Sequence, residues 1–155
     1  MTSTIKPQLT ALGNQTITLA NLASSTGGVG RQSTLIDTSA YELLHVFGKV
    51  TLGTPTGTGS IWIYPIKADS TSPAANMATG NAGANDAGIT MPSYVAPLDT
   101  IATANTANST YQFDCVFPDP GYAAGIAVVH NTGGNLNANT SMHTIEFVGQ
   151  NRIAT

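Results

Sequence analysis

The chain has 155 residues, of which only 8% are charged, and its formal net charge is −3; an ordinary soluble domain is about 25% charged. Its five cations, Lys6, Arg31, Lys49, Lys67 and Arg152, are scattered singly, which excludes the cationic cluster that a nucleic-acid groove or an anionic membrane surface needs. A single cysteine, Cys115, excludes an intramolecular disulfide framework, and its setting in Tyr-Gln-Phe-Asp-Cys-Val-Phe makes it a small buried hydrophobe in a strand.

Residues 1–14 read as an extended N-terminal arm, because Pro7 disfavours regular pairing. No basic patch followed by an apolar core opens the chain, so no secretory leader is expected. Residues 15–155 read as one β-sandwich domain, a length that suits a single core.

Strand patterns are short and frequent, whereas the i, i+3, i+4, i+7 spacing of an amphipathic helix is missing. Residues 15–22 alternate, with Ile17 and Leu19 on one face and Thr16 and Thr18 on the other. A short, partly β-branched run follows at 34–37. The longest candidate is 41–52, which offers Leu44, Val46 and Val50 to a core. Residues 60–68 set Ile61 and Ile63 opposite Trp62 and Tyr64; Pro65 cannot donate to a ladder, so this strand should be an edge or bulge there. Runs at 110–117, 122–130 and 140–148 complete the set, the last two expected to form a hairpin across 131–139. The longest apolar run, 123–129, falls far short of the roughly 18 residues of a membrane helix.

Turn residues separate these runs: Gly27-Gly28, Thr54-Pro55-Thr56-Gly57, Pro118-Asp119-Pro120-Gly121 and Thr132-Gly133-Gly134-Asn135. Seven or eight strands punctuated in this way predict an all-β, antiparallel sandwich of jelly-roll type. Between 69 and 109 the pattern changes. Residues 69–88 are rich in Ala, Gly and Asn and hold one large apolar side chain, Met77, so they predict a long surface excursion. Short strands are expected within it at 89–94 and 98–101.

Chemistry-bearing motifs are scarce. His45, His130 and His143 fall on three different predicted strands without ligand spacing. Glu42 and Glu146 each lie three positions from a histidine, which puts them on opposite faces of a strand. The acids are single, with no calcium loop and no glycosidase pair. Ser3-Thr-Ile-Lys6 matches S-x-x-K without its partner motifs, and Gly27-Gly28-Val29-Gly30 lacks the Lys-Ser/Thr of a phosphate loop. The glycosylation triplets at Asn14, Asn108 and Asn139 are what chance gives in so Asn- and Thr-rich a chain. No catalytic residue, cofactor or metal is expected. Trp62 and Tyr64 share a strand face and offer a possible sugar-stacking pair.

Two stretches carry a resemblance. Gly30-Arg-Gln-Ser-Thr-Leu-Ile-Asp-Thr-Ser-Ala-Tyr-Glu-Leu-Leu resembles the Arg-Glu-Ser-Thr-x-x-Asp-Asn stretch of a family of small tailed-phage virion proteins. Val128-Val-His-Asn-Thr-Gly-Gly-Asn-Leu-Asn, followed by Ser141-Met-His-Thr-Ile, resembles that family's His-Asn-Thr-Gly…Leu hairpin. Gln32 departs from the family's Glu, and the 69–88 loop is richer in Ala and Gly. The resemblance implies a β-sandwich subunit of the virion, a capsid decoration or cement protein made in the host cytoplasm. Its partners would be the major capsid protein and copies of itself, with weak contact to a host-surface glycan as an additional possibility. Arg31 and Asp37, inside the matching stretch, are expected to pair across a turn.

On that reading the arm and the excursion make the inter-subunit contacts. The candidates are Ile5, Lys6, Pro7, Leu9, Met77, Asn81, Asn85, Met91 and Tyr94. A tail, neck or head-fibre subunit is the alternative within the particle, and a carbohydrate-binding module the alternative outside it.

Overall fold

The computed structural model describes residues 5–15, 17–25, 28–71, 86–89 and 96–154. Ten strands and one short 3₁₀ turn follow in order: β1 (Ile5–Asn14), β2 (Val29–Gln32), β3 (Ile36–Asp37), β4 (Leu43–Thr51), β5 (Gly59–Ala68), β6 (Ala87–Gly88), β7 (Asp99–Thr103), β8 (Thr110–Pro118), β9 (Ala123–His130), the turn Thr140–Met142, and β10 (Thr144–Ala154). They form two antiparallel sheets. Sheet A runs β1-β10-β4-β8; sheet B runs β6-β2-β9-β5-β7, with β3 also on β9. Taking β2 and β3 as one interrupted strand and setting aside the two-residue β6 leaves eight strands. Their order, first-eighth-third-sixth facing second-seventh-fourth-fifth, is that of a jelly roll.

Alternation builds the core between the sheets. Leu44, Val46 and Val50 of β4, Ile145 and Phe147 of β10, and Phe113, Cys115 and Phe117 of β8 meet Ile61 and Ile63 of β5 and Ala124, Ile126 and Val128 of β9 in one cluster. Burying each large side chain contributes about 1.5–3 kcal/mol. Strand β9 is buried along its whole length. Its outward residues are small, and a Cβ at Gly125 would stand 2.8 Å from the Ser33 hydroxyl and 3.1 Å from Leu35. That closeness lets Leu35, Ile66, Ala68, Ala123 and Ala127 form a second apolar layer, against which Tyr64 and Ile89 pack.

Two of the three strand prolines, Pro65 and Pro7, obey one rule. Pro65 is opposite Ile126, whose N–H and C=O both turn away to Ser33, so no ladder bond between this pair is lost. Pairing with β7 ends at Ile63↔Asp99, so Pro65 lies where β5 runs past its neighbour.

Pro7 behaves likewise, which corrects the arm expectation for residues 5–14. Ile5–Asn14 is a strand paired with β10 from Ile5↔Ala154 to Asn14↔Glu146, with a bulge between Ala11 and Gly13. The Ile145 carbonyl accepts from Gln15 on the β1 side, and the Gln150 carbonyl accepts from Glu42 on the β4 side. Successive residues of a strand alternate in this way. Odd-numbered residues of β10 therefore bond β1, and Pro7, opposite Arg152, points its nitrogen to the open edge.

Two further expectations are corrected. The described residues of the 15–22 run, 15 and 17–22, are not in a strand; Leu19 and Leu22 reach the core from a loop with a left-handed Asn21 (φ 58°). The two last strands do not form a hairpin, because β9 belongs to sheet B and β10 to sheet A. The connection between them crosses the end of the sandwich, pinned by buried Leu136, which bridges Leu52. It ends in the Thr140–Met142 turn, where the Asn139 side chain accepts from the Ser141 N–H at 3.0 Å.

Candidate functional site

The three histidines are far apart in role. His130 is fully buried; Nε2 donates to the Leu22 carbonyl at 2.9 Å, and Nδ1 lies 3.1 Å from the Thr132 hydroxyl. His143 donates from Nε2 to the Asn137 carbonyl at 2.9 Å and accepts the Thr51 N–H at Nδ1. Burial lowers the pKa of both rings below the ordinary value, so each works as a neutral brace for a loop. His45 lies on the outside of sheet A, its Nε2 2.9 Å from Gln150 Oε1 and its ring stacked on Phe47 at 6.1 Å. Among the described residues no group of three or more His, Cys, Asp or Glu is placed to hold a metal ion.

The expected Arg31–Asp37 pair does not form. Arg31 is buried; its Nε bonds Asp86 at 2.6 Å, and its Nη1 donates to the carbonyls of Thr18 and Ala20. Asp37 instead accepts the Ser39 hydroxyl at 2.7 Å and N–H at 2.9 Å, and these bonds lower its pKa. Gln32 and Ser33, in the same stretch, are also buried. The Arg31–Ser33 part of the first stretch is therefore scaffold, with no side chain there free for a partner.

What the fold does expose is the outer face of sheet A. The register aligns its outward side chains in rows across β1, β10, β4 and β8: Leu9–Gln150–Leu43–Pro118, then Ala11–Val148–His45–Val116, then Asn14–Glu146–Phe47–Asp114. Three of the exposed large apolar side chains, Leu9 (62%), Phe47 (38%) and Val116 (44%), stand on this one face. Half-buried Leu43 and Val148 join them into an apolar band. Contiguous bands of this kind mark interaction surfaces, whereas single exposed apolar residues do not.

Sheet B offers a smaller site. Trp62 and Tyr64 of β5 line a groove of about 260 Å³ with Val129, Ser25, Gly28 and Asn131. The Asn131 Oδ1 is taken by the Ser60 N–H at 2.7 Å.

Of the expected contact residues, Lys6, Pro7 and Leu9 lie exposed on β1, and Ile5 opens that strand. Met77, Asn81, Asn85, Met91 and Tyr94 fall outside the described residues. Phe47 and Val116 were not singled out by sequence, although the second face of the 41–52 run, with Leu43, His45 and Phe47, is as apolar as a covered surface. Among the described residues, no helix is long and apolar enough to cross a membrane.

No family model and no curated protein matches the chain. Among solved structures, that of Bacillus endospore appendages, a family of disulfide-linked pili, aligns with 99% of this chain and 91% of that one, at 13% identity and a TM-score of 0.26.

Proposed function

We propose that this protein is a non-enzymatic structural subunit of a tailed-phage particle, seated as a decoration protein on the outside of the capsid shell. The observation that carries the reading is the collection of Leu9, Phe47 and Val116 on the outer face of sheet A. A charge-poor apolar band suits permanent attachment, since such contacts are not screened by salt as exposed ion pairs are. The jelly roll supports the assignment only as a scaffold, because folds of this kind host many functions. The resemblance in the Gly30–Leu44 stretch supplies the particle itself. The partners on this reading are the major capsid protein and further copies of the chain, without nucleic acid, membrane or cofactor.

The test is to incubate the purified protein with phage heads that lack it and count the copies bound. Saturation at an icosahedral stoichiometry, lost in Phe47→Asp, is the expected result. No binding to heads, but binding to tails or necks, moves the subunit elsewhere in the particle.

The groove at Trp62 and Tyr64 favours a second reading, a carbohydrate-binding sandwich, because aromatic faces beside polar groups suit sugar rings. A glycan screen with Trp62→Ala as control distinguishes it: binding that disappears in the variant supports this reading.

A further inference from the structure

We propose that two copies of this chain join antiparallel through the free edge of β1, about a two-fold axis at Leu9. This goes beyond the particle assignment and stands without it.

The argument rests on which backbone groups of β1 remain unpaired. Its odd-numbered residues Pro7, Leu9 and Ala11 are opposite Arg152, Gln150 and Val148. Those β10 residues direct their own groups toward β4, as the Gln150 carbonyl does in accepting from Glu42. Pro7, Leu9 and Ala11 therefore turn their backbone groups outward, and among the described residues nothing pairs with that edge. Unpaired edges of this kind are templates for another strand.

The outward groups are self-complementary about Leu9. A second copy set antiparallel there places Leu9 opposite Leu9, and each N–H donates to the other's carbonyl. Pro7 then meets Ala11 of the second copy. The Ala11 N–H donates to the Pro7 carbonyl, and the N–H that Pro7 lacks is the only bond missing from that pair. The ladder ends before the bulge between Ala11 and Gly13, so the irregular part of the strand is not asked to pair. No like charges are opposed: Lys6 comes opposite Leu12 of the second copy.

The side chains agree with the backbone. Leu9, 62% exposed, is the most exposed large apolar residue described, and the axis brings it beside its own copy. A two-fold perpendicular to the sheet keeps both outer faces on one side. The result is a continuous sheet, β8-β4-β10-β1 and its mirror order, whose two apolar bands merge. An interface of this type is isologous and closes on itself, so it yields a dimer and not a fibre.

The test combines sedimentation with Leu9→Pro. This substitution removes the outward N–H of residue 9 and, like Pro7, costs no bond to β10. Wild-type protein is expected to sediment as a dimer, with Leu9→Pro raising the dissociation constant about 30-fold while its circular dichroism is unchanged. Leu9→Cys gives a second readout: a short bis-maleimide should trap a covalent dimer, while Glu146→Cys on the same face should not. Cys115 is buried and does not compete. A monomeric wild type, a dimer untouched by Leu9→Pro, or equal crosslinking at both cysteines would overturn the proposal. A dimer that fails to bind phage heads leaves this pairing intact and sinks only the placement on the capsid.

Discussion

Arg31 Nε and Asp86 Oδ1 lie 2.6 Å apart although 55 positions separate them in the chain. Around this pair three segments meet. Arg31 belongs to β2, its Nη1 holds the carbonyls of Thr18 and Ala20, and Asp86 Oδ2 accepts the Ala23 N–H at 3.1 Å. A guanidinium suits this because it presents several donors in a fixed fork. Asp86→Ala leaves that buried cation with its carbonyl partners alone, and should lower stability by about 2–3 kcal/mol. Chemical denaturation measures it, and the double variant with Arg31→Met should cost less than the sum of the single changes. Strict additivity would mean that the pair is not coupled.

The network explains part of what sequence shows and hides. The alternation at 41–52, 60–68 and 110–117 is legible because one face of each strand meets a core and the next residue does not. Residues 15–22 alternate equally well, yet Leu19 and Leu22 are buried from a loop whose carbonyls Arg31 occupies; no local pattern reveals a partner that far along the chain. Strand β1 is not legible in the sequence because the cost of Pro7 depends on which way its nitrogen faces, and only the register with β10 fixes that. The candidate face was half legible. Leu9 is among the nine contact residues that the sequence offers, but Phe47 and Val116 join it only once β1, β10, β4 and β8 are placed side by side.

The two buried histidines make the fold sensitive to acid. The unfolded chain takes up protons as pH falls through about 6.5. Burial lowers the folded pKa of His130 and His143 below that value, against hydrogen bonds to Leu22 and Asn137 that favour the charged form. Asp86 also raises the pKa of His130, whereas Arg31 and Lys49 lower that of His143 further. The stability held by the neutral rings is therefore complete above about 6.5 and declines as pH falls toward the folded values. Urea midpoints should drop between pH 7.5 and pH 5, and the drop should shrink in His143→Gln. An identical drop in the variant would remove His143 from the account.

Gly48 has no room for a side chain. A Cβ there would lie 2.4 Å from Phe113 Cζ and 2.7 Å from the Thr144 carbonyl oxygen. Phe113 faces Gly48 across β4 and β8, and its ring fills the space the glycine leaves. Gly48→Ala should cost about 1–3 kcal/mol through overpacking. Trimming the ring in Gly48→Ala/Phe113→Leu should recover part of it, and a double variant no better than the single would show that the Thr144 carbonyl is the obstacle.

Cys115 should be inert while the protein is folded. Burial, with smaller effects from the charges of Asp99 and Asp114, raises its pKa to about 12. The thiolate is the reactive form, so a disulfide-exchange reagent at pH 8 should label native protein negligibly and label the denatured chain fully. Rapid native labelling would mean that β8 opens readily.

Phe47 and Phe147 test whether the outer face is there for something other than stability. They sit on adjacent strands of one sheet, Phe47 opposite Glu146 and outward, Phe147 opposite Val46 and inward with no exposed surface. Phe147→Ala should cost about 3–5 kcal/mol by opening the core. Phe47→Ser and Val116→Ser, which empty no cavity, should change stability by less than about 1 kcal/mol. If the outer face is an interface, the serine variants lose assembly while melting as the wild type does. A large drop in melting temperature for either would mean that the band is held by the domain for its own folding, and the interface would have to be sought elsewhere.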